Sequence, residues 1–117
     1  MHRDNAKVLV VEDEVIIRMD LTLGLEDMGF EVAEADSASS ALELLDSGLE
    51  IDILVTDIDM PGRMNGVALA AEVHSRAPSC RIIVISGGST PKINELPECC
   101  VFFSKPLTPC DLVTAFD

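Results

Sequence analysis

The residues of this chain best suited to chemistry are polar groups that follow directly on apolar runs. Ile53-Leu54-Val55-Thr56 stops on Asp57, with Asp59 two residues later and Pro61-Gly62 beyond it. Lys7-Val8-Leu9-Val10-Val11 ends in Glu12-Asp13-Glu14, Arg81-Ile82-Ile83-Val84-Ile85 ends in Ser86-Gly87-Gly88, and Cys100-Val101-Phe102-Phe103 runs into Ser104-Lys105-Pro106. Carboxylates crowded into one place repel one another unless a cation stands between them, and a site of one or two carboxylates with other hard oxygens suits Mg2+. An ammonium from Lys105 and a hydroxyl from Ser86 would complete a cradle for an oxyanion, the requirement of phosphoryl transfer. In such a set Asp57 is the carboxylate nucleophile.

Whether these groups meet depends on the elements that carry them. Continuous apolar runs over Lys7 to Val11, Ile51 to Thr56 and Arg81 to Ile85 predict strands covered on both faces, as in parallel sheets. Glu31 to Ala35 alternates weakly and predicts a strand nearer an edge, and Cys100 to Phe103 predicts a fifth. Between Glu14 and Met28, Ile17, Leu21, Leu25 and Met28 recur at helical spacing, with Asp13 or Glu14 at the helix start and Gly29 at its end. Asp36 or Ser37 caps a second helix through Ala38, Ala41, Leu42 and Leu45 to Gly48. Asn65 caps a third, carrying Val67, Leu69, Ala70 and Val73, which must stop before Pro78. Thr108-Pro109-Cys110-Asp111 opens a final helix with Leu112, Val113 and Phe116. Between Thr90 and Glu98, Pro91 and Pro97 bracket a stretch with little apolar content, so a fourth helix there is short or missing.

Strands alternating with helices, each connection long enough for a crossover, predict a doubly wound (βα)5 flavodoxin-like α/β fold with a five-stranded parallel sheet, residues 1–117 forming one domain. Parallel strands end on the same side. Their C-terminal edge would therefore collect Glu12, Asp13, Asp57, Asp59, Ser86 and Lys105.

Composition narrows the partners. A net charge of −13 over 117 residues opposes binding to nucleic acid or anionic membranes, which depends on Lys and Arg clusters. Four Phe with no Tyr or Trp leave little for base stacking. No run reaches the length of a membrane helix and no signal-type apolar segment follows the charged start, so the expected location is cytoplasmic. Cys80, Cys99, Cys100 and Cys110 show no CxxC spacing and read as reduced thiols.

Taken singly, each feature has a plainer reading. Glu12-Asp13-Glu14 could be an acidic helix start. Asp57 with Asp59 could be a solvated turn, Lys105 a surface lysine, Ser86 a strand-end cap and Phe102 core. His2 and His74 read as a terminal residue and a helix-surface residue, and Gly87-Gly88 has no GK[ST] after it and is no P-loop.

Together, Val10-Val11-Glu12-Asp13-Glu14, Val55-Thr56-Asp57-Ile58-Asp59-Met60-Pro61-Gly62, Ile85-Ser86-Gly87 and Phe102-Phe103-Ser104-Lys105-Pro106-Leu107 resemble the receiver domain of bacterial two-component response regulators, over essentially the whole chain. The resemblance implies that Asp57 is the phosphoacceptor for a sensor histidine kinase or histidine phosphotransfer protein. It implies that Asp13, Asp57 and the backbone carbonyl of Asp59 hold Mg2+, with Glu12 acting through water. Lys105 would pair with the phosphoryl oxygens, Ser86 and Phe102 would be the switch residues, and a downstream protein target would read the change. It implies self-directed phosphoryl chemistry rather than turnover of a small molecule. Met1 suggests a receiver at a natural N-terminus, either stand-alone or cut from a longer regulator.

Two departures stand out. The loop Met60-Pro61-Gly62-Arg63-Met64-Asn65-Gly66 is one residue longer than the usual pattern, and the stretch from Ser86 to Lys105 is about three residues shorter than usual, which would move output toward the first or last helix or to a loop that orders on phosphorylation. The alternative from a different class is a Mg2+-dependent phosphohydrolase of the DxD type, suggested by Asp57-Ile58-Asp59. A flavodoxin-like cofactor binder shares the fold class but lacks the phosphate loop and the aromatic residues to stack a flavin.

Overall fold

Val8 to Val11, Ile53 to Asp57 and Ile82 to Ser86 are buried residue after residue, a pattern a strand shows only when both its faces are covered. The computed structural model describes residues 6–58, 66–86, 100–104 and 108–114. Along the chain run β1 (Lys7–Val11), α1 (Val15–Asp27), β2 (Glu31–Ala35), α2 (Ala38–Asp46), β3 (Ile53–Asp57), α3 (Gly66–Arg76), β4 (Arg81–Ser86), β5 (Val101–Ser104) and α4 (Pro109–Val113). The five strands form one parallel sheet in the order β2-β1-β3-β4-β5. This is the expected flavodoxin-like α/β order, and the weakly alternating Glu31–Ala35 takes an edge.

Alternate strand residues serve opposite faces. Leu9, Val11, Leu54, Ile82 and Val84 pack with Ala38 and Ala41 of α2 and with Val67, Ala70 and Val73 of α3. Val8, Val10, Ile53, Val55, Ile83 and Ile85 pack with Leu21 and Leu25 of α1 and Leu112 of α4. Burying each Leu or Ile side chain contributes roughly 1.5–3 kcal/mol, so both helical layers are anchored to the strands that bear the acids.

Local chemistry ends the elements. Gly29, at φ 101°, turns the chain out of α1, where the Phe30 N–H donates back to the Leu25 carbonyl at 3.1 Å. Ser37 Oγ accepts from the Ser40 N–H at 3.1 Å and caps α2. Thr108 and Asp111 exchange reciprocal capping bonds around Pro109. Arg76 links α3 to α2 by hydrogen bonds to Glu72 and Asp46, which hold its guanidinium above the ordinary value.

Several boundaries differ from expectation. β3 begins at Ile53 rather than Ile51, because Asp52 is bound outside the ladder: its N–H donates to the Lys7 carbonyl at 2.9 Å and its side chain accepts from the Lys7 N–H at 2.9 Å. β5 begins at Val101 rather than Cys100. Glu14 holds the N-cap position of α1 without a side-chain capping bond; the Glu12 carboxylate instead accepts from the Glu14 N–H at 3.1 Å. The Asn65 cap, the broken stretch from Thr90 to Glu98 and Phe116 lie outside the described residues. Among the described residues Cys80, Cys100 and Cys110 are in no disulfide, and no helix is long and apolar enough to cross a membrane.

Candidate functional site

The sheet order creates the site. From β1 the chain crosses to β2 on one side, and β3 then pairs on the other, so the crossovers diverge and leave a crevice at the strands' C-terminal ends. Val11 is register-paired with Thr56, which sets Glu12 and Asp57 one residue further along adjacent strands. Asp57 in turn pairs with Ile85, so Ser86 ends the next strand over.

Glu12, Asp13 and Asp57 each offer a carboxylate oxygen, and the three lie within 4.8 Å of one another. Glu12 is 1% and Asp57 3% exposed, while Asp13 reaches solvent. Burying two acids beside a third is unfavourable for like charges in a region of low dielectric, and a divalent cation offsets it directly. The donor set is all hard oxygen with one side open to water, the character of a Mg2+ site that retains several waters. These residues fit such an ion.

The backbone around the acids is held firmly. The Glu12 N–H donates to the Ala35 carbonyl at 3.1 Å, and its carbonyl accepts from Arg18 Nη1 at 2.7 Å. The Thr56 hydroxyl donates to the Asp57 carbonyl at 3.1 Å, and the Ile58 N–H donates to the Ile85 carbonyl at 2.8 Å. Gly66 opens α3 directly against the Asp57 backbone, where a side chain would overlap the carbonyl.

Of the residues singled out from sequence, Glu12, Asp13 and Asp57 come together, and Ser86 stands buried at the neighbouring strand end. Phe102, on the edge strand β5 opposite Val84, is 40% exposed and is therefore not plain core. Asp59 and Lys105 lie outside the described residues; Ser104, just before the lysine, is register-paired with Ser86. His74 lies on α3, away from the strand ends. Sequence reading missed Arg18 and Glu34, whose side chains meet at 3.3 Å beside the β1–α1 turn. It also missed an apolar face on α1: Val15, Ile16, Met19 and Leu23 are each more than half exposed, beginning two residues after Asp13. Their i, i+4 spacing was the available signal, overshadowed by the buried stripe of Ile17, Leu21 and Leu25 on the same helix.

Comparison with known proteins adds to this geometry. A family model described as the response regulator receiver domain matches residues 8–117. The response regulator receiver protein CpdR of Brucella abortus is 32% identical, the alignment covering 95% of this chain and 93% of that protein. Sensor kinase CckA of the same organism is 40% identical over 71% of this chain, which spans only 9% of the kinase. Transcriptional regulatory protein PdtaR of Mycobacterium tuberculosis is 33% identical over 95% of this chain, which spans 55% of that regulator. A solved response regulator receiver protein from Sinorhizobium medicae superimposes with a TM-score of 0.90 at 31% identity, covering 96% of this chain and 91% of the other.

Proposed function

The chain belongs to the response regulator receiver family of two-component systems, and from that premise we propose that Asp57 is its phosphoacceptor. Receiver domains are signalling domains that take phosphoryl groups from sensor kinases, not enzymes that turn over small molecules. The observation that carries the assignment is the place of Asp57: buried at the end of a central strand, within 4.8 Å of the Glu12 and Asp13 carboxylates, at the sheet's switch point.

The Asp57 carboxylate oxygen attacks the phosphorus of a phosphohistidine. The new O–P bond forms as the P–N bond breaks, and the electron pair left on the imidazole nitrogen takes up a proton. Asp13 and Asp57, with the Asp59 carbonyl, would hold Mg2+ directly, and Glu12 through water. When bound, Mg2+ supplies positive charge that offsets the carboxylates and the incoming phosphoryl oxygens. Lys105 pairs with those oxygens, and the Ser86 hydroxyl turns toward them once Asp57 is modified. With Phe102, Ser86 then passes the change to the surface that a downstream protein reads.

The donor is a sensor histidine kinase or a histidine phosphotransfer protein. It docks across the exposed apolar face of α1, which adjoins the site and is rimmed by Asp20, Glu26 and Asp27 with no cation among its exposed residues; the matching surface is apolar with a basic rim. Residues 1–117 act as one receiver domain in the cytoplasm. The DxD phosphohydrolase reading is not favoured, since the family match covers the chain and the first acid of the motif ends the third strand.

Phosphotransfer tests this reading. A histidine-phosphorylated donor incubated with the chain and Mg2+ should lose label as the chain gains it, and excess chelator should stop the transfer. Release of inorganic phosphate from simple esters, with no labelled chain, would contradict it.

A further inference from the structure

Arg18 belongs to no carboxylate cluster, yet it fixes the turn that carries two members of one. It lies in the first turn of α1 with its side chain 17% exposed. Nη1 donates to the Glu12 carbonyl at 2.7 Å, and Nε stands 3.3 Å from Glu34 Oε1 on β2. The Arg18 N–H donates to the Glu14 carbonyl at 3.0 Å, so one residue closes residues 12–14 from both its backbone and its side chain.

The geometry matters because the Glu12 carbonyl and the Asp13 nitrogen share one planar peptide unit. A short charge-assisted bond to that oxygen sets the plane from which the Asp13 side chain departs. The Glu12 N–H to Ala35 carbonyl bond, at 3.1 Å, holds the preceding unit. Glu12 and Asp13 are thereby presented toward Asp57 at a fixed angle.

A guanidinium this near three carboxylates has a competing option: to enter the cluster and take the place of a metal. Glu34 counters it. The register pair Val10 with Glu34 places this acid on the β2 side of Arg18, where it engages Nε and leaves Nη1 aimed at a neutral carbonyl. The rigid fork of arginine can serve two partners at once, which a lysine ammonium on a shorter reach cannot do with the same geometry.

We propose that Arg18, anchored by Glu34, is a positioning residue for divalent-metal binding: it orients the Glu12–Asp13 peptide and is itself kept out of the carboxylate cluster. This rests on reading Glu12, Asp13 and Asp57 as a Mg2+ site. Groups that orient metal ligands in this way typically contribute on the order of tenfold or more to metal affinity.

The sign of one measurement separates positioning from simple charge. Removing a positive charge close to three carboxylates should tighten Mg2+ binding if only Coulomb attraction mattered; loss of positioning should weaken it. Titration of the full chain with MgCl2 by calorimetry is expected to show Arg18→Met binding on the order of tenfold more weakly than wild type. Arg18→Lys should fall between the two. Glu34→Gln, a change on a partly exposed edge strand that leaves α1 intact, should weaken binding in the same direction, and Arg18→Lys, which keeps the charge, keeps the test alive if Arg18→Met does not fold. The double variant should bind no more weakly than Arg18→Met alone, because Glu34 acts through Arg18. Unchanged or tighter binding in Arg18→Met, or in Glu34→Gln, overturns the proposal while leaving the metal site standing, as does a lowered melting temperature in chelator with no change in Mg2+ affinity. Additive losses in the double variant overturn the anchoring role of Glu34. Absence of Mg2+ binding in wild type overturns the metal reading itself and the role of Arg18 with it.

Discussion

Gly66, the first residue of α3, lies so close to the backbone carbonyl of Asp57 that a methyl group in place of its hydrogen would overlap that oxygen. The overlap is with backbone, so no side chain can swing aside to relieve it. Either α3 or the end of β3 must move.

Gly66→Ala is therefore expected to destabilise the fold by about 1–3 kcal/mol, the usual cost of overfilling a packed interior. It should also slow phosphorylation of Asp57 beyond what the lost stability explains. Urea unfolding followed by circular dichroism, with labelling by acetyl phosphate at a temperature where both proteins stay folded, checks the two effects. Wild-type stability in the variant would mean that this contact is slack.

The parallel sheet was legible because strands covered on both faces read as unbroken apolar runs, and the acids marked where those runs leave the core. Asp57, Glu12 and Asp13 followed from the strand ends alone. Gly66 was visible only as the end of a loop pattern; its role comes from the approach of a helix to a strand, which no local sequence signal encodes. Arg18 and Glu34 escaped notice for a related reason: a helix cation and a strand acid meet through the β1 to β2 register, 16 positions apart in a chain full of acids. The displaced start of β3 traces to Asp52, whose apolar neighbours extended the run by two residues while its own hydrogen bonds tied it to Lys7.

Metal binding should reverse the effect of charge at the cluster. In chelator, Asp13→Asn is expected to melt at or above the wild-type temperature, because it removes one of three mutually repelling carboxylates. With Mg2+ in excess the order should invert. Wild type at about 100-fold above its Kd gains about 2.7 kcal/mol by linkage, and the variant gains much less. Equal gains in both proteins would take Asp13 out of the ligand set.

The apolar face of α1 predicts a split between donors. Ile16, 82% exposed, can be changed to Asp with little effect on folding. Ile16→Asp should lose at least tenfold in transfer rate from a histidine-phosphorylated protein, equivalent to about 1.4 kcal/mol or more, while labelling by acetyl phosphate stays at the wild-type rate. Equal loss with both donors would mean the substitution reached the site and not the docking surface.

Thr108 tests the hold on α4. Its hydroxyl accepts from the Asp111 N–H at 3.3 Å, and its own N–H donates to the Asp111 carboxylate at 2.9 Å. Thr108→Ala breaks the first of these bonds and should cost about 1 kcal/mol in urea unfolding. Because Leu112 of this five-residue helix is fully buried against the α1 side of the sheet, hydrogen exchange should rise first in α4. No change in α4 protection would show that packing alone holds it.

The central claim is that Asp57 is the phosphoacceptor. Intact-mass measurement after incubation with Mg2+ and acetyl phosphate, on wild type and on Asp57→Asn, tests it most directly. A single phosphoryl group should appear on wild type, survive acid, be lost in base and be absent from the variant. An adduct of the same mass on Asp57→Asn, or none on a wild-type protein that binds Mg2+, would contradict the assignment.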